Sequence, residues 1–272
     1  MAAVSDAEAD AKAEVAVIGG SGFYEFLSGP YEVDVSTPYG DPSASIAIGE
    51  VSGRPVAFLP RHGRHHEFPP HRVNYRANLW ALRSLGVRRV LAPCAVGSLQ
   101  PELGPGALVV PDQLVDRTSG RVQTYLDAGA GHVGFADPYC PSLRGSLTDA
   151  DSAIIDGGTM VVIEGPRFST RAESQWYAAQ GWSLVNMTGH PEAVLARELA
   201  LCYAAIALVT DRDAGVQSGE SVSQAEVFAE FGRNIDRLRD LLEGVVAALP
   251  AERAGCDCAR ALDGINLPFE LP

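Results

Sequence analysis

An α/β fold, a single domain with a mixed central sheet flanked by helices, is what the sequence predicts. Apolar runs of strand length recur along the chain, and helical patterns with recognisable ends lie between several of them. No internal repeat, low-complexity linker or break in composition interrupts the 272 residues, which favours one domain over two. The expected division is a flexible, acidic leader over 1–13, a main domain over 14–250 and a tail over 251–272.

In chain order the apolar runs are "VAVI" at 15–18, "PVAFL" at 55–59, "RVLAPC" at 89–94, "ALVV" at 107–110, "TMVVI" at 159–163, "LVNM" at 184–187 and "AAIALV" at 204–209. Most are apolar on both alternating faces, as strands covered on both sides are. "NYRANLWALRSLG" places Tyr75, Leu79 and Leu82 on one helical stripe and stops at Gly86, a C-terminal capping residue. In "HPEAVLAREL", Pro191 and Glu192 fall in a first turn, where a missing N–H costs nothing and a negative charge suits the helix dipole. The last helix is the clearest. Ser223 and Glu226 form an S-x-x-E capping box, and Val227, Phe231, Ile235, Leu238, Leu242 and Val245 come after it at spacings of three and four.

Composition narrows the function. The net charge of −13 argues against nucleic acid as a partner, because backbone binding needs a Lys/Arg footprint. A small anionic substrate remains compatible, since charges are screened over about 8 Å and local groups decide. No apolar run approaches the ~20 residues of a membrane helix, and the first residues lack a secretory signal, so a cytoplasmic protein without a membrane partner is expected. The five cysteines are odd in number and lack framework spacing, so no disulfides are expected. Cys256 and Cys258 are too close for an unstrained bridge and too few for a closed zinc site. The tail is expected to pack Leu267, Phe269 and Leu271 onto this subunit or a neighbour. The stretch "RHGRHHEFPPH" holds His65, His66 and His71, but no cysteine or carboxylate cluster accompanies them at zinc spacing, and no metal is expected.

Ligands of open α/β sheets bind at the carboxyl ends of strands. At the ends of the apolar runs stand Ser21 after "VAVIGG", Arg61 and His62 after "VAFLP", Cys94 to Ser98 after "RVLAP", Thr188 after "LVNM", and Asp211 with Asp213 after "AIALVT". The first four suit a tetrahedral oxyanion: glycines admit backbone N–H groups, hydroxyls donate, and Arg61 can grip two oxygens at once. Carboxylates would repel such an anion, so they belong to another part of the ligand, for which a basic heterocycle is suitable. Taken singly each signal has a plainer reading, a surface arginine for Arg61 or a strand-end cap for the aspartates. Their joint arrival at successive strand ends is what points to a site. A dinucleotide is disfavoured, because "GGSGFYE" lacks the third glycine of G-x-G-x-x-G and Pro30 comes soon after.

The segments "VIGGSGFY", "PRHGRHHEFPPHRVNYRANLWAL", "PCAVGSLQPELGPG", "VVPDQLVDRT", "EGPRFSTRAES", "NMTGHPEAVLARE" and "CYAAIALVTDRDAG" resemble, in order and spacing, the 5'-methylthioadenosine phosphorylases of the trimeric purine nucleoside phosphorylase superfamily. The resemblance spans Val15 to Leu249 and implies a purine nucleoside phosphorylase-like fold. It implies phosphate binding by Ser21, Arg61, His62, Ala95 and Thr188, and by Cys94 in place of the family's threonine, where a thiol is a weaker donor. It places Met187 beneath the ribose, Phe168 and Ser169 beside the base, and His66 with a neighbouring subunit's His132 around the ribose and 5'-substituent. Asp211 matches the aspartate that contacts N7 and the amino group of adenine, with Asp213 beside it; both count as the catalytic pair.

The implied reaction is phosphorolysis of S-methyl-5'-thioadenosine to adenine and 5-methylthioribose 1-phosphate by a cytoplasmic homotrimer. Inorganic phosphate is the co-substrate and no cofactor is implied. Asp211 would donate at N7, its protonation favoured by burial against Asp213. Gly189-His190 and Arg212 depart from the eukaryotic pattern and are expected near the nucleoside, where they bear on the 5'-substituent. Methylthioinosine, 6-oxopurine nucleosides and 5'-halogenated deoxyadenosines are alternative substrates. A silent nucleoside-binding module is the reading from another class, and it would need neither Arg61 nor the hydroxyls.

Overall fold

The first strand, β1 (Val15–Gly19), is buried along its whole length in the computed structural model, which describes residues 12–129, 131–214 and 222–272. Most of the expected leader lies outside those residues. Strand β1 pairs in parallel with β4 (Arg54–Pro60) on one side and with the start of β5 (Arg89–Ser98) on the other. Beyond β4 lie β3 (Ile46–Val51) and β2 (Tyr31–Val33), joined antiparallel. On the other side, β10 (Leu184–Asn186), β9 (Thr159–Ile163) and β7 (Gln113–Arg117) continue the mixed sheet, and β11 (Cys202–Arg212) runs parallel to β5 and leads to β6 (Leu108–Val110) and β8 (Ile155–Asp156).

Every apolar run forms a strand, and the strands that escape the pattern are edge or half-exposed ones. Strand β3 alternates between buried and accessible positions, β2 and β8 are short, and β7 is polar, so none offers a continuous apolar stretch.

The helices are α1 (Tyr75–Ser84), α2 (Pro141–Ala150), α3 (Arg171–Ala179), α4 (Gly189–Glu198) and α5 (Gln224–Ala248). Asn74 caps α1 through its side chain. Helix α3 carries a complete capping box, Thr170 with Glu173, in the stretch "STRAES". On α5, Phe231, Leu238, Leu242 and Val245 are buried against Phe23, Phe58 and Ile206, covering one face of the sheet. The Ser223 hydroxyl accepts from the Glu226 N–H at 3.3 Å and donates to the Glu226 carboxylate at 2.7 Å. The turn after β1 is locked under this helix. Gly22 has φ +84, and a Cβ there would stand 2.8 Å from the Phe231 ring.

The tail is tied down. Phe269 and Leu271 pack against the core, the Phe269 ring lies 5.5 Å from that of Trp80, and Arg83 donates to the Pro272 carbonyl at 2.9 Å. Among the described residues no helix is long and apolar enough to cross a membrane.

One register detail creates the room for a site. Strand β11 occupies one edge of β5 over its full length, so β1 and β10 must share the other. There β1 pairs only with Arg89–Leu91, and β10 only with Gly97 and Ser98. Between them, among the described residues, the edge at 92–96 has no strand beside it. Pro93, which lacks an N–H and would disrupt a ladder paired on both sides, falls within that gap.

Candidate active site

A cavity of about 350 Å³ occupies this gap. Ser21, Arg61, His62, His66, Cys94, Ala95, Phe168, Ser169, Met187, Thr188, Asp211 and Asp213 all line it, from loops and strand ends that are far apart in sequence. His132 does not; it is exposed on the long connection after β7, and its expected place is a neighbour's site.

At the anion end, Arg61 is buried but does not have two nitrogens free for a ligand. Its Nε and Nη2 donate to the Glu192 carboxylate at 2.6 and 2.8 Å, and Glu192 also accepts from the Tyr203 hydroxyl at 2.8 Å. The expected two-oxygen grip is therefore spent on a protein carboxylate. Burial alone would lower the Arg61 pKa, but the charge of Glu192 and its hydrogen bonds, with smaller contributions from Tyr203 and Cys94, together outweigh it, so the guanidinium stays charged. Nη1 is the nitrogen left toward the cavity: it is 3.0 Å from where a Gly20 Cβ would stand, with only a long contact of 3.4 Å to the Pro93 carbonyl. By sequence Glu192 does no more than complement the dipole of a helical first turn; in the fold it is 1% exposed and holds Arg61 in position.

The hydroxyl at Thr188 is set by Asn186, a residue that no sequence pattern singles out. Its Oδ1 accepts from the N–H groups of Thr188 and Gly189, each at 2.7 Å, and its Nδ2 donates to the Ala95 carbonyl at 3.2 Å. Burial pushes the Cys94 thiol up to about 12, so it is a neutral group at the site.

His62 is neutral as well. Burial and the adjacent Arg61 charge bring its pKa down to about 3. Its Nδ1 lies 2.8 Å from the Phe68 carbonyl, which can only accept, so Nδ1 carries the proton and Nε2 is an acceptor. It stacks on His66, whose Nδ1 is 2.9 Å from the Tyr24 hydroxyl.

The opposite end is acidic. The β5–β11 register shifts between Val209 and Asp211, leaving Thr210 as an extra residue. This bulge aims Asp211 and Asp213 to the cavity, and the Thr210 hydroxyl donates to Asp211 Oδ2 at 2.8 Å. Burial, with a further contribution from the Asp213 charge, pushes the Asp211 carboxyl up to about 6. The Asp213 carboxyl is raised by burial, an effect partly offset by the Ser169 and Ser174 hydroxyls. Gly97 makes space for the pair, since a Cβ there would lie 3.1 Å from Asp211 Oδ1 and 2.9 Å from Val185.

The expected departures near the nucleoside lie elsewhere. The Arg212 guanidinium, one residue out of phase with the aspartates, lies beside Gly104, and His190 is buried with Nε2 3.2 Å from Asp116. Neither lines the cavity.

Comparison with known proteins decides the family, since a family model described as the phosphorylase superfamily matches residues 14–249. The chain belongs to the phosphorylase superfamily. It is 64% identical to the S-methyl-5'-thioadenosine phosphorylase of Mycolicibacterium smegmatis, covering 94% of this chain and 98% of that one. With the purine nucleoside phosphorylase of Streptomyces coelicolor it shares 59% identity over 96% and 98% of the two chains. Among solved structures, the methylthioadenosine phosphorylase of Schistosoma mansoni in complex with adenine superposes with a TM-score of 0.84 at 38% identity, over 89% of this chain and 93% of that one.

In this member of the phosphorylase superfamily the cavity wall between the two polar ends is apolar. Met187 and Phe168 are joined there by Val227 and Phe228 from the first turns of α5. Periodicity alone assigns Val227 to the core stripe of that helix. The same spacing serves a helix whose N-terminal end walls the cavity.

Proposed function

We propose that this chain is a pentosyltransferase that cleaves S-methyl-5'-thioadenosine with inorganic phosphate, releasing adenine and 5-methylthioribose 1-phosphate. The observation that carries the reading is the opposition, within one cavity, of a charged arginine flanked by hydroxyls and an aspartate pair, Asp213 buried and Asp211 partly so, with the pKa of both carboxyls raised.

Phosphate would rest on Arg61 Nη1 and the Ser21 and Thr188 hydroxyls, with His62 Nε2 accepting from a protonated phosphate oxygen or a sugar hydroxyl. One of its oxygens attacks C1' while the C1'–N9 bond breaks and its electron pair passes to the purine. Asp211 delivers a proton to N7, so the base leaves neutral and the aspartate is left ionised. General acid catalysis of this kind contributes about 100- to 10,000-fold. Asp213, when ionised, accepts from the 6-amino group, whereas a 6-oxopurine would set an acceptor against it and leave a buried group unpaired. The apolar wall of Val227 and Phe228 suits a methylthio group better than a hydroxyl.

No cofactor takes part in this scheme. The reading includes a cytoplasmic homotrimer in which a neighbour's His132 completes the ribose side, and it rests on the family resemblance. Phosphate-dependent base release, compared across methylthioadenosine, methylthioinosine, adenosine and inosine, tests it. Methylthioadenosine is expected to have the highest kcat/KM; preference for a 6-oxopurine would overturn the base assignment, and release without phosphate would point to a hydrolase.

A further inference from the structure

Four cysteines meet at the end of β11 remote from the cavity. Cys140 occupies the N-cap position of α2, Cys202 opens β11, and Cys256 and Cys258 come from the tail, Cys258 starting a short 3-10 turn. Their sulfur atoms all lie within 4.8 Å of one another, and Cys202 Sγ is 3.6 Å from Cys256 Sγ. Cys140, Cys202 and Cys258 are buried and Cys256 is partly so. By spacing alone the tail pair is too small for a closed metal site; the fold supplies the two missing members.

We propose that these four cysteines bind one zinc ion in a closed tetrahedral thiolate site. Four sulfurs about 2.3 Å from a central ion stand ~3.8 Å apart along each edge of the tetrahedron. The 3.6 Å separation matches that edge. It is far from the roughly 2.05 Å of a covalent disulfide. Four thiolates and no oxygen ligand form a soft donor set that selects zinc over calcium or magnesium.

The scaffold is rigid where two of the ligands attach. The Cys140 N–H donates to the Tyr203 carbonyl at 2.8 Å, and the Cys202 N–H to the Arg88 carbonyl at 2.9 Å. The C-x-C segment then delivers two further ligands from one turn. Binding displaces four thiol protons and changes no oxidation state. With all four positions filled by protein, the ion has no place for substrate. Its role is structural: it clips the start of the tail to the sheet, so that Phe269 and Leu271 reach their places beside Trp80 and Tyr125.

The full-length chain, produced with zinc in the medium and purified without chelator, is expected to hold one zinc per chain by elemental mass spectrometry. Cobalt(II) in its place should give thiolate charge-transfer bands in the near ultraviolet and intense tetrahedral bands in the red. The Cys256→Ser/Cys258→Ser variant should lose the metal and melt earlier, while turning over nucleoside normally at low temperature. Wild-type chain with all its thiols titratable and no zinc would overturn the site, as would an intact mass short of the hydrogens lost in disulfide formation. Zinc retained by the double variant would do the same. If that variant does not fold, the stoichiometry and cobalt spectrum of the wild type decide.

Discussion

Asp211 shows how environment moves the titration of an ordinary carboxyl toward neutrality. Its folded-state pKa of about 6 lies above the ordinary aspartate value of 3.8, chiefly because burial penalises the charge. Stability linked to this group is therefore full below the unfolded pKa and is lost as pH rises through about 6. Asp211→Asn should raise the melting temperature by more at pH 7.5 than at pH 4, as calorimetry can check. The same variant should lose about 100- to 10,000-fold in turnover of methylthioadenosine at saturating phosphate. It should also lose the alkaline limb of the kcat/KM profile. Glu192 governs the other end. Glu192→Gln leaves a buried guanidinium without its counter-charge, a change that typically costs about 3–5 kcal/mol. Thermal melts should show that loss, and added phosphate should recover more of the melting temperature in the variant than in the wild type.

At the scale of elements, the site depends on where strands stop. The residues after the apolar runs were legible because a strand covered on both faces reads as a continuous hydrophobic stretch, and its end is then marked by the first polar residue. Ser21, Arg61, Thr188 and Asp211 stand out in this way, and the cavity gathers them. Glu192 and Asn186 do not, because a polar residue on a helix or at a strand end looks solvated until tertiary packing buries it. The Thr210 bulge is equally silent, since nothing local distinguishes a strand that slips by one residue. Gly97→Ala tests the close fit it creates. The added Cβ must displace Asp211 or Val185, so kcat/KM is expected to fall at least tenfold while the fold survives, seen as preserved circular dichroism.

For the whole molecule, the α/β class and its single mixed sheet are legible from alternating runs, whereas the strand order is not, because pairing partners lie far apart in sequence. The cysteines make the same point: a spacing rule sees two neighbours at 256 and 258, and only the fold brings in 140 and 202. Assembly lies beyond a single chain. If a neighbour's His132 completes the site, His132→Ala should raise the KM for nucleoside several-fold with kcat little changed, in a particle that native mass spectrometry weighs as a trimer.

The gap along β5 also leaves a mark on amide exchange. Within a strand the N–H and C=O of one residue point to the same edge, and the Ala95 carbonyl already reaches Asn186 on the side facing β10. Its N–H therefore looks toward the space where a neighbouring strand would have supplied an acceptor. Among the described residues no strand supplies that acceptor, because β1 pairs only as far as Leu91 and β10 only from Gly97. A bound phosphate would act as the missing rung, and deuterium uptake at Ala95 should slow when phosphate is added, with the flanking amides of β5 unchanged.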